Sequence, residues 1–342
     1  MKKTNLIDLV NITKTYRTPV VSPGFRGTIK ALLRPQFEVH HALTDINFQL
    51  ESGNMLALLG ANGAGKSTIV KLLSGIQKAD SGIVKTVGLD PRKHRRLVFS
   101  MAGVVFGHKS SLWWDLPLIE SLRLSKHIYN ISNADFDKRL PEIIERLLLS
   151  HKLNAPVRSL SLGERVKAEL AFNLLYKPRL LILDEPTLGL DIMAKHEIRE
   201  LLKAATRNDG AGCLITTHDM GDIEGYVDSV VLLHRGSMRF EGSLRQLKTL
   251  DTPLTQLTVY CQSITQLNAA VNHLYSFKKS YPAAIEYLNI DHTELLVEVL
   301  ATEEGYRTIV QHILLKEYYK FSISPLPLET ILRTKLKKLD ET

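Results

Sequence analysis

The chain has 342 residues, 44% apolar and 23% charged, the composition of a folded globule and a length that predicts two domains. Asp8 interrupts the apolar stretch behind Lys2 and Lys3, which excludes a good signal-peptide core, and no window approaches the roughly 18 apolar residues of a spanning helix, so a soluble intracellular chain is expected. The net charge of +8 is modest for this size and fits a scattered basic surface, and the two cysteines, Cys213 and Cys261, have no metal-like spacing and fit a reducing compartment.

In chain order, the first unusual segment is RTPVVSPGFRGTIKALLRPQFEVHH (17–41). Phe25, Ile29, Leu32 and Leu33 fall at helical spacing between Pro23 and Pro35, with Arg26, Lys30 and Arg34 interleaved. This predicts a short basic amphipathic segment, suited to anionic lipid or an amphipathic partner, and equally to packing on the chain's own sheet.

NMLALLGANGAGKSTIVKLLSG (54–75) is the sharpest signal. Leu56–Leu59 reads as a buried strand, and Ile69, Val70, Leu72 and Leu73 as a helix that stops at Gly75. Between them stands a complete G-x-x-x-x-G-K-[ST] loop: Gly60, Ala61, Asn62, Gly63, Ala64, Gly65, Lys66 and Ser67, followed by Thr68. Its glycines let backbone N–H groups converge on phosphate oxygens at a helix N-terminus. Lys66 is expected to reach the β- and γ-phosphates and the Ser67 hydroxyl to ligate Mg²⁺.

Next, VFGHKSSLWWDLP (105–117) holds both tryptophans of the chain, Trp113 and Trp114, in an expected loop. Large aromatic anchors of this kind mark interface centres or pack inside a subdomain. RSLSLGERVKAELAFNLLYKP (158–178) opens a helix with Val166, Leu170 and Leu174 on one face and Pro178 after its end. Ser161 and Glu164 fit a capping box, and the same helix start, with a Ser hydroxyl and Gly163, is a candidate anion site.

RLLILDEPTLGLD (179–191) reads as a buried strand that delivers Asp184 and Glu185 at its C-terminal end, the usual ligand edge of an open α/β sheet. Asp184 suits Mg²⁺ and Glu185 suits a general base on the attacking water. GCLITTHDM (212–220) is another apolar strand, ending in His218 at the same edge. The last ninety or so residues change texture: strand, helix, two strands around DHT, helix, strand and a closing helix LETILRTKLKKL (328–339). That β-α-β-β-α-β order predicts a ferredoxin-like α+β appendage.

Together and in this order, these pieces resemble the ATPase subunit of ATP-binding cassette (ABC) transporters, over roughly residues 1–245. The most specific mark is a P-loop combined with LSLGE (160–164) ahead of LLILDEP (180–186). The layout is similar to a subgroup serving two-component (ABC-2) exporters, in which a separate permease crosses the membrane. The resemblance implies an α/β P-loop NTPase cassette, residues 1–247, with a mixed sheet core, an antiparallel β subdomain and a helical subdomain at about 110–175; residues 253–342 form the accessory domain. It implies ATP and Mg²⁺ as cofactors and a head-to-tail homodimer or heterodimer with two ATP molecules at its interface. ATP binding closes the dimer and drives the permease; hydrolysis resets it. The chain is then expected at the cytoplasmic face of a membrane through that permease, with no nucleic-acid partner.

Residue by residue, Tyr16 matches the aromatic that stacks on adenine. Residues 60 to 68 hold the phosphates, Ser67 and Asp184 the metal, and Glu185 and His218 the attacking water with Lys66. Ser161 and Gly163 match the signature residues that grip the partner's γ-phosphate, with Glu164 beside them at the last signature position, and Asp191 matches the acid that communicates between subunits. The sequence departs from the family at two places. The usual LSGGQ is LSLGE here, with Leu162 for the first Gly and Glu164 for the Gln, adding negative charge near phosphate. His108 replaces the Gln that touches Mg²⁺ and water. The resemblance places Trp113 and Trp114 where the permease's cytoplasmic helices dock. The alternatives from other classes are a soluble nucleotide-dependent regulator and a translation-associated ATPase; the latter normally carries two cassettes in one chain.

Overall fold

The computed structural model describes residues 4–20, 36–107, 110–219, 221–249, 254–282, 285–311 and 320–325. The chain divides into two compact units, Met1–Leu244 and Arg245–Thr342.

The first unit begins with a long hairpin, β1 (Asn5–Val20) and β2 (Gln36–Glu51), paired antiparallel from Asn5 opposite Glu51 to Val20 opposite Gln36. β4 (Ser81–Thr86) adds to the other edge of β1, giving a three-stranded antiparallel sheet. Residues 17–20 and 36–41, inside the predicted insert, are thus arms of the hairpin; Thr18, Val20, Phe37 and Val39 are residue types that favour extended backbone. The predicted amphipathic segment, 23–35, lies outside the described residues.

The main sheet has six strands in the order β5-β6-β7-β3-β8-β9. These are β3 (Met55–Leu59), β5 (Ala102–Phe106), β6 (Leu180–Asp184), β7 (Gly212–Thr217), β8 (Ser229–His234) and β9 (Ser237–Gly242). The first five in spatial order pair in parallel and β9 runs antiparallel to β8. Every residue of β3 and β7 is buried, which is why these strands read as continuous apolar runs instead of alternating ones. Parallel pairing aligns the C-terminal ends of β3, β5, β6 and β7, so the P-loop, Gly107, the Asp184–Glu185 pair and His218 all leave the sheet at one edge.

The helices of this unit are α1 (Lys66–Leu73), α2 (Arg95–Met101), α3 (Leu118–Ile128), α4 (Asn133–Arg146), α5 (Leu162–Leu174) and α6 (Ile192–Arg207), with α7 (Leu244–Thr249) at the division between the units. One core joins both sheets and α1: Leu6, Leu9 and Ile12 with Leu56, Leu58, Ile69, Val70, Leu180 and Ile182. In α5, Leu170 is fully buried, but Val166 and Leu174 are only partly so. The helix is enclosed beyond the predicted stripe, with Ala168, Ala171 and Phe172 buried alongside Lys167, Glu169 and Asn173. Among the described residues, no helix is long and apolar enough to cross a membrane.

The second unit contains β10 (Leu254–Tyr260), α8 (Ile264–Ser280), β11 (Ile285–Asp291), β12 (Leu296–Thr302), α9 (Glu303–Ile309) and β13 (Lys320–Pro325). Its antiparallel sheet has the order β11-β12-β10-β13, so the first and third strands are central, as a split β-α-β requires. Leu257, Val259, Val297 and Val299 pack against Leu267, Ala270 and Leu274 of α8. The closing helix predicted over 328–339 lies outside the described residues.

Candidate active site

The loop between β3 and α1 is shaped by close approach. A Cβ on Gly60 would lie 2.5 Å from the Leu233 carbonyl oxygen and 2.9 Å from Ala64 Cβ. Gly65 has φ +108°, and a Cβ there would lie 2.6 Å from Leu43 Cδ2 and 2.9 Å from the Ala42 carbonyl oxygen. Gly63, at φ +83°, faces open space. Gly65 caps α1 without any side-chain acceptor, so the first amides of the helix face the loop's concavity. Lys66 is 4% exposed. Its Nζ donates to the Gly60 and Ala61 carbonyls at 2.7 and 3.3 Å and stands 3.4 Å from Glu185 Oε1.

The neighbouring strands complete the cluster. Ser67 Oγ lies 3.3 Å from Asp184 Oδ1, which also accepts from Thr216 Oγ1 at 2.6 Å. Thr216 in turn accepts from the Glu185 N–H at 3.0 Å. Glu185 has φ +51°, a left-handed conformation that a residue with a side chain holds only when its surroundings enforce it. His218 Nδ1 is 3.3 Å from Glu185 Oε2. Lys66, Glu185 and His218 thus form one chain, with Ser67 and Asp184 beside it. Two hard oxygen donors at the end of a phosphate loop match Mg²⁺ shared with phosphate. Among the described residues no cluster of three or more His, Cys, Asp or Glu would hold a metal unaided. Ser67 and Asp184 are the residues that would hold the ion.

Sequence reasoning missed two residues here. Thr216 orients both acids from the next strand. Asp222, 4% exposed, accepts from Thr187 Oγ1 at 2.7 Å and Lys195 Nζ at 2.6 Å, with Arg199 Nη2 at 3.4 Å. It ties the segment after Glu185 to α6 and to the segment after His218. The available signals were a polar pair, Thr216–Thr217, ending an apolar strand and an acid four residues past a site histidine; neither is specific.

The signature residues form a second cluster. Ser161 Oγ accepts from the Glu164 N–H at 3.2 Å and Glu164 Oε2 accepts from the Ser161 N–H at 2.8 Å, which is the capping box read from the sequence. Glu164 also meets Lys152 Nζ at 3.3 Å and, when the imidazole is protonated, His151 at 3.7 Å. Burial works against its ionisation, but the Ser161 N–H and Lys152 outweigh it and hold the carboxyl below the usual glutamate range. Its charge is engaged within the chain. Asp191 caps α6 by accepting from the Ala194 N–H at 2.9 Å, and Gly163 lies against Ala194, where a Cβ would make ordinary contact at 3.4 Å. Around these residues Leu162, Leu188, Ile192 and Met193 are exposed, Ile192 to 85%.

Tyr16 contacts Gln77 and Lys14. On β1, its hydroxyl donates to the Gln77 side chain and its ring lies under Lys14, whose Nζ is 5.6 Å from the ring centre and 2.8 Å from Asp80. Asn62 is exposed, Ala64 is buried and Thr68 is half-buried at the start of α1. His108 lies outside the described residues. Trp113 and Trp114 are 41% and 49% exposed, in a turn anchored by Trp113 N–H to Ser121 Oγ (3.1 Å) and by Arg158 N–H to the Trp114 carbonyl (2.9 Å).

The chain is similar to proteins already known. A family profile described as "ABC transporter" matches residues 43–188. A putative ABC transporter ATP-binding protein of Methanosarcina mazei is 31% identical over 233 residues, covering 68% of this chain and 80% of that protein. The Nod factor export ATP-binding protein I of Ralstonia nicotianae is 31% identical over 235 residues, covering 69% of this chain and 73% of that protein. Among solved structures, the dimeric post-hydrolysis state of an ATP-binding cassette bound to ADP and Pi superposes with a TM-score of 0.57 at 26% identity, over 70% of this chain and 99% of that one.

Proposed function

Because the chain belongs to the ATP-binding cassette family of ABC transporters, we propose that it is the ATP-hydrolysing subunit of a two-component exporter. The observation that carries this reading is the convergence of Lys66, Ser67, Asp184, Glu185 and His218 at one edge of a parallel sheet, in a chain that also carries a capped signature helix starting at Ser161. Lys66 and the loop amides bind the phosphates; Ser67 and Asp184 would hold Mg²⁺, which would supply positive charge against the phosphate oxygens. Glu185 takes a proton from water; the water oxygen bonds to the γ-phosphorus as the bond to the ADP oxygen breaks. His218, fixed by Glu185, is placed to hold that water or the departing phosphate.

The dimer is head-to-tail, each Ser161–Gly163 helix start gripping the γ-phosphate on the other copy. This is supported by the exposed Leu162, Leu188, Ile192 and Met193 beside the signature, an apolar patch that a partner would cover. The dimeric cassette with ADP and Pi supports it by likeness. Export is supported by the Nod factor export relative. The permease docks at the turn around Trp113 and Trp114, and holds the chain at the cytoplasmic face of its membrane.

The test is purification of the full chain from mildly solubilised membranes. A multi-span protein in near-equal amount, lost on Trp113→Ala/Trp114→Ala, is expected. Recovery only from the soluble fraction, or with ribosomes, would overturn the transport reading in favour of a soluble ATPase.

A further inference from the structure

Helix α5 carries the signature at its start and, two turns on, a buried acid. Glu169 is 5% exposed. One carboxylate oxygen, Oε1, accepts from the Ser110 hydroxyl and from the Ser111 N–H at 2.8 Å, and Ser110 Oγ accepts from the Leu112 N–H at 3.1 Å. The other, Oε2, is buried with no hydrogen-bond partner. An acid in such a place is costly where an apolar side chain would pack, so its worth lies in what Oε1 holds. That is the segment 110–112, which leads from the end of β5 into the tryptophan turn.

One helical turn earlier, the Arg165 guanidinium lies 5.6 Å from the Trp114 ring centre. One turn later, Asn173 packs where a Cβ on Gly103 of β5 would come within 3.0 Å of Asn173 Oδ1, and its Nδ2 donates to the Glu169 carbonyl at 2.9 Å. Arg165, Glu169 and Asn173 stand four residues apart and so share one face of α5. That face follows β5 and the chain that leaves it.

We infer that Glu169 is a positioning residue which, with Arg165, fastens the tryptophan turn to the signature helix, so that the turn travels with α5 when the nucleotide site of a partner copy engages Ser161. The inference rests on the dimer closure proposed above, but the fastening itself is present in the resting chain and is tested there first.

Trp113 and Trp114 are the only tryptophans, so indole emission reads this turn directly. In a Trp113→Phe background, Trp114 is the sole reporter. Releasing the turn by Glu169→Leu is expected to shift Trp114 emission to the red and increase its quenching by acrylamide, without nucleotide. Glu169→Gln, whose amide oxygen can accept the same two hydrogen bonds, is expected to keep both near their starting values. Ser110→Ala removes the hydroxyl from the loop side, leaves the buried face of α5 intact, and is expected to give an intermediate shift; it serves alone if the leucine variant does not fold. Unchanged emission in both Glu169→Leu and Ser110→Ala, or a glutamine variant as perturbed as the leucine one, would overturn the inference.

The second readout adds MgATP to the same chains carrying Glu185→Gln, with dimer formation followed by sedimentation. Expected are dimers in every chain and loss of most of the ATP-dependent Trp114 response in Glu169→Leu alone. Dimers with a full response in Glu169→Leu refute the claim that the turn travels with α5. A parent chain that never dimerises refutes the closure reading and leaves the resting-state result to decide the fastening.

Discussion

A methyl group placed on Gly65 probes the shape of the phosphate loop. The backbone there is at φ +108°, which costs an L-residue about 1–2 kcal/mol. The new Cβ would also lie 2.6 Å from Leu43 Cδ2, a fully buried side chain, and 2.9 Å from the Ala42 carbonyl oxygen of β2. The carbonyl oxygen is backbone and the Leu43 methyl is packed in the core, so the loop, β2 or the core around Leu43 must move, and overpacking of this kind costs about 1–3 kcal/mol. Gly65→Ala is therefore expected to lose about 2–5 kcal/mol, a large share of the roughly 5–15 kcal/mol that holds a domain together. Gly63→Ala is the control. Its φ is +83° but its Cβ meets nothing within 4 Å, so only the backbone cost of about 1–2 kcal/mol applies. Urea unfolding followed by tryptophan emission reads the right unit, since both tryptophans share it with the loop. Gly65→Ala should unfold at clearly lower urea than Gly63→Ala and show weaker MgATP binding. Equal midpoints would refute the claim that contact with β2 fixes this loop.

Two further outcomes are expected. Asp222→Ala strips a buried acceptor from Thr187, Lys195 and Arg199; because both cations are partly solvated, the loss should be about 2–3 kcal/mol, below the full range for a broken buried pair, and is read from the urea midpoint. Burial raises the Glu169 carboxyl above the usual glutamate range, with the Ser110, Ser111 and Leu112 hydrogen bonds opposing it. The folded chain then holds that proton more tightly than the unfolded chain. Wild type is at its best relative to Glu169→Gln below the ordinary glutamate range, and loses ground as pH rises through the raised value. Urea midpoints of the two chains across that window check the sign; a difference that does not vary with pH would contradict it.

The parts of this site that were legible in the sequence are those made by contiguous residues. Gly60 to Ser67 carry the glycines and the lysine of the loop in one run, although Ala42, Leu43 and Leu233 help to shape it; Asp184 and Glu185 announce themselves by ending an apolar run, and Ser161 and Glu164 bond to each other across three positions. Thr216, Asp222 and Glu169 were not legible, because each acts on residues far away in the chain: Thr216 on Asp184, Asp222 on Thr187, Glu169 on Ser110. In the sequence they are a threonine in a strand, an acid in a polar segment and an acid in a helix. The fold shows the same division. Parallel strands buried on both faces give unmistakable apolar runs, whereas the hairpin arms at 17–20 and 36–41 are short, half polar and set by their pairing with each other.

The central claim is that Glu185 drives hydrolysis at this edge of the sheet. Single-turnover cleavage of MgATP by the wild-type chain and by Glu185→Gln, with nucleotide binding measured on the same samples, tests it most directly. Glu185→Gln is expected to retain binding and to cleave about 10²–10⁴-fold more slowly. Equal rates in the two chains would contradict it.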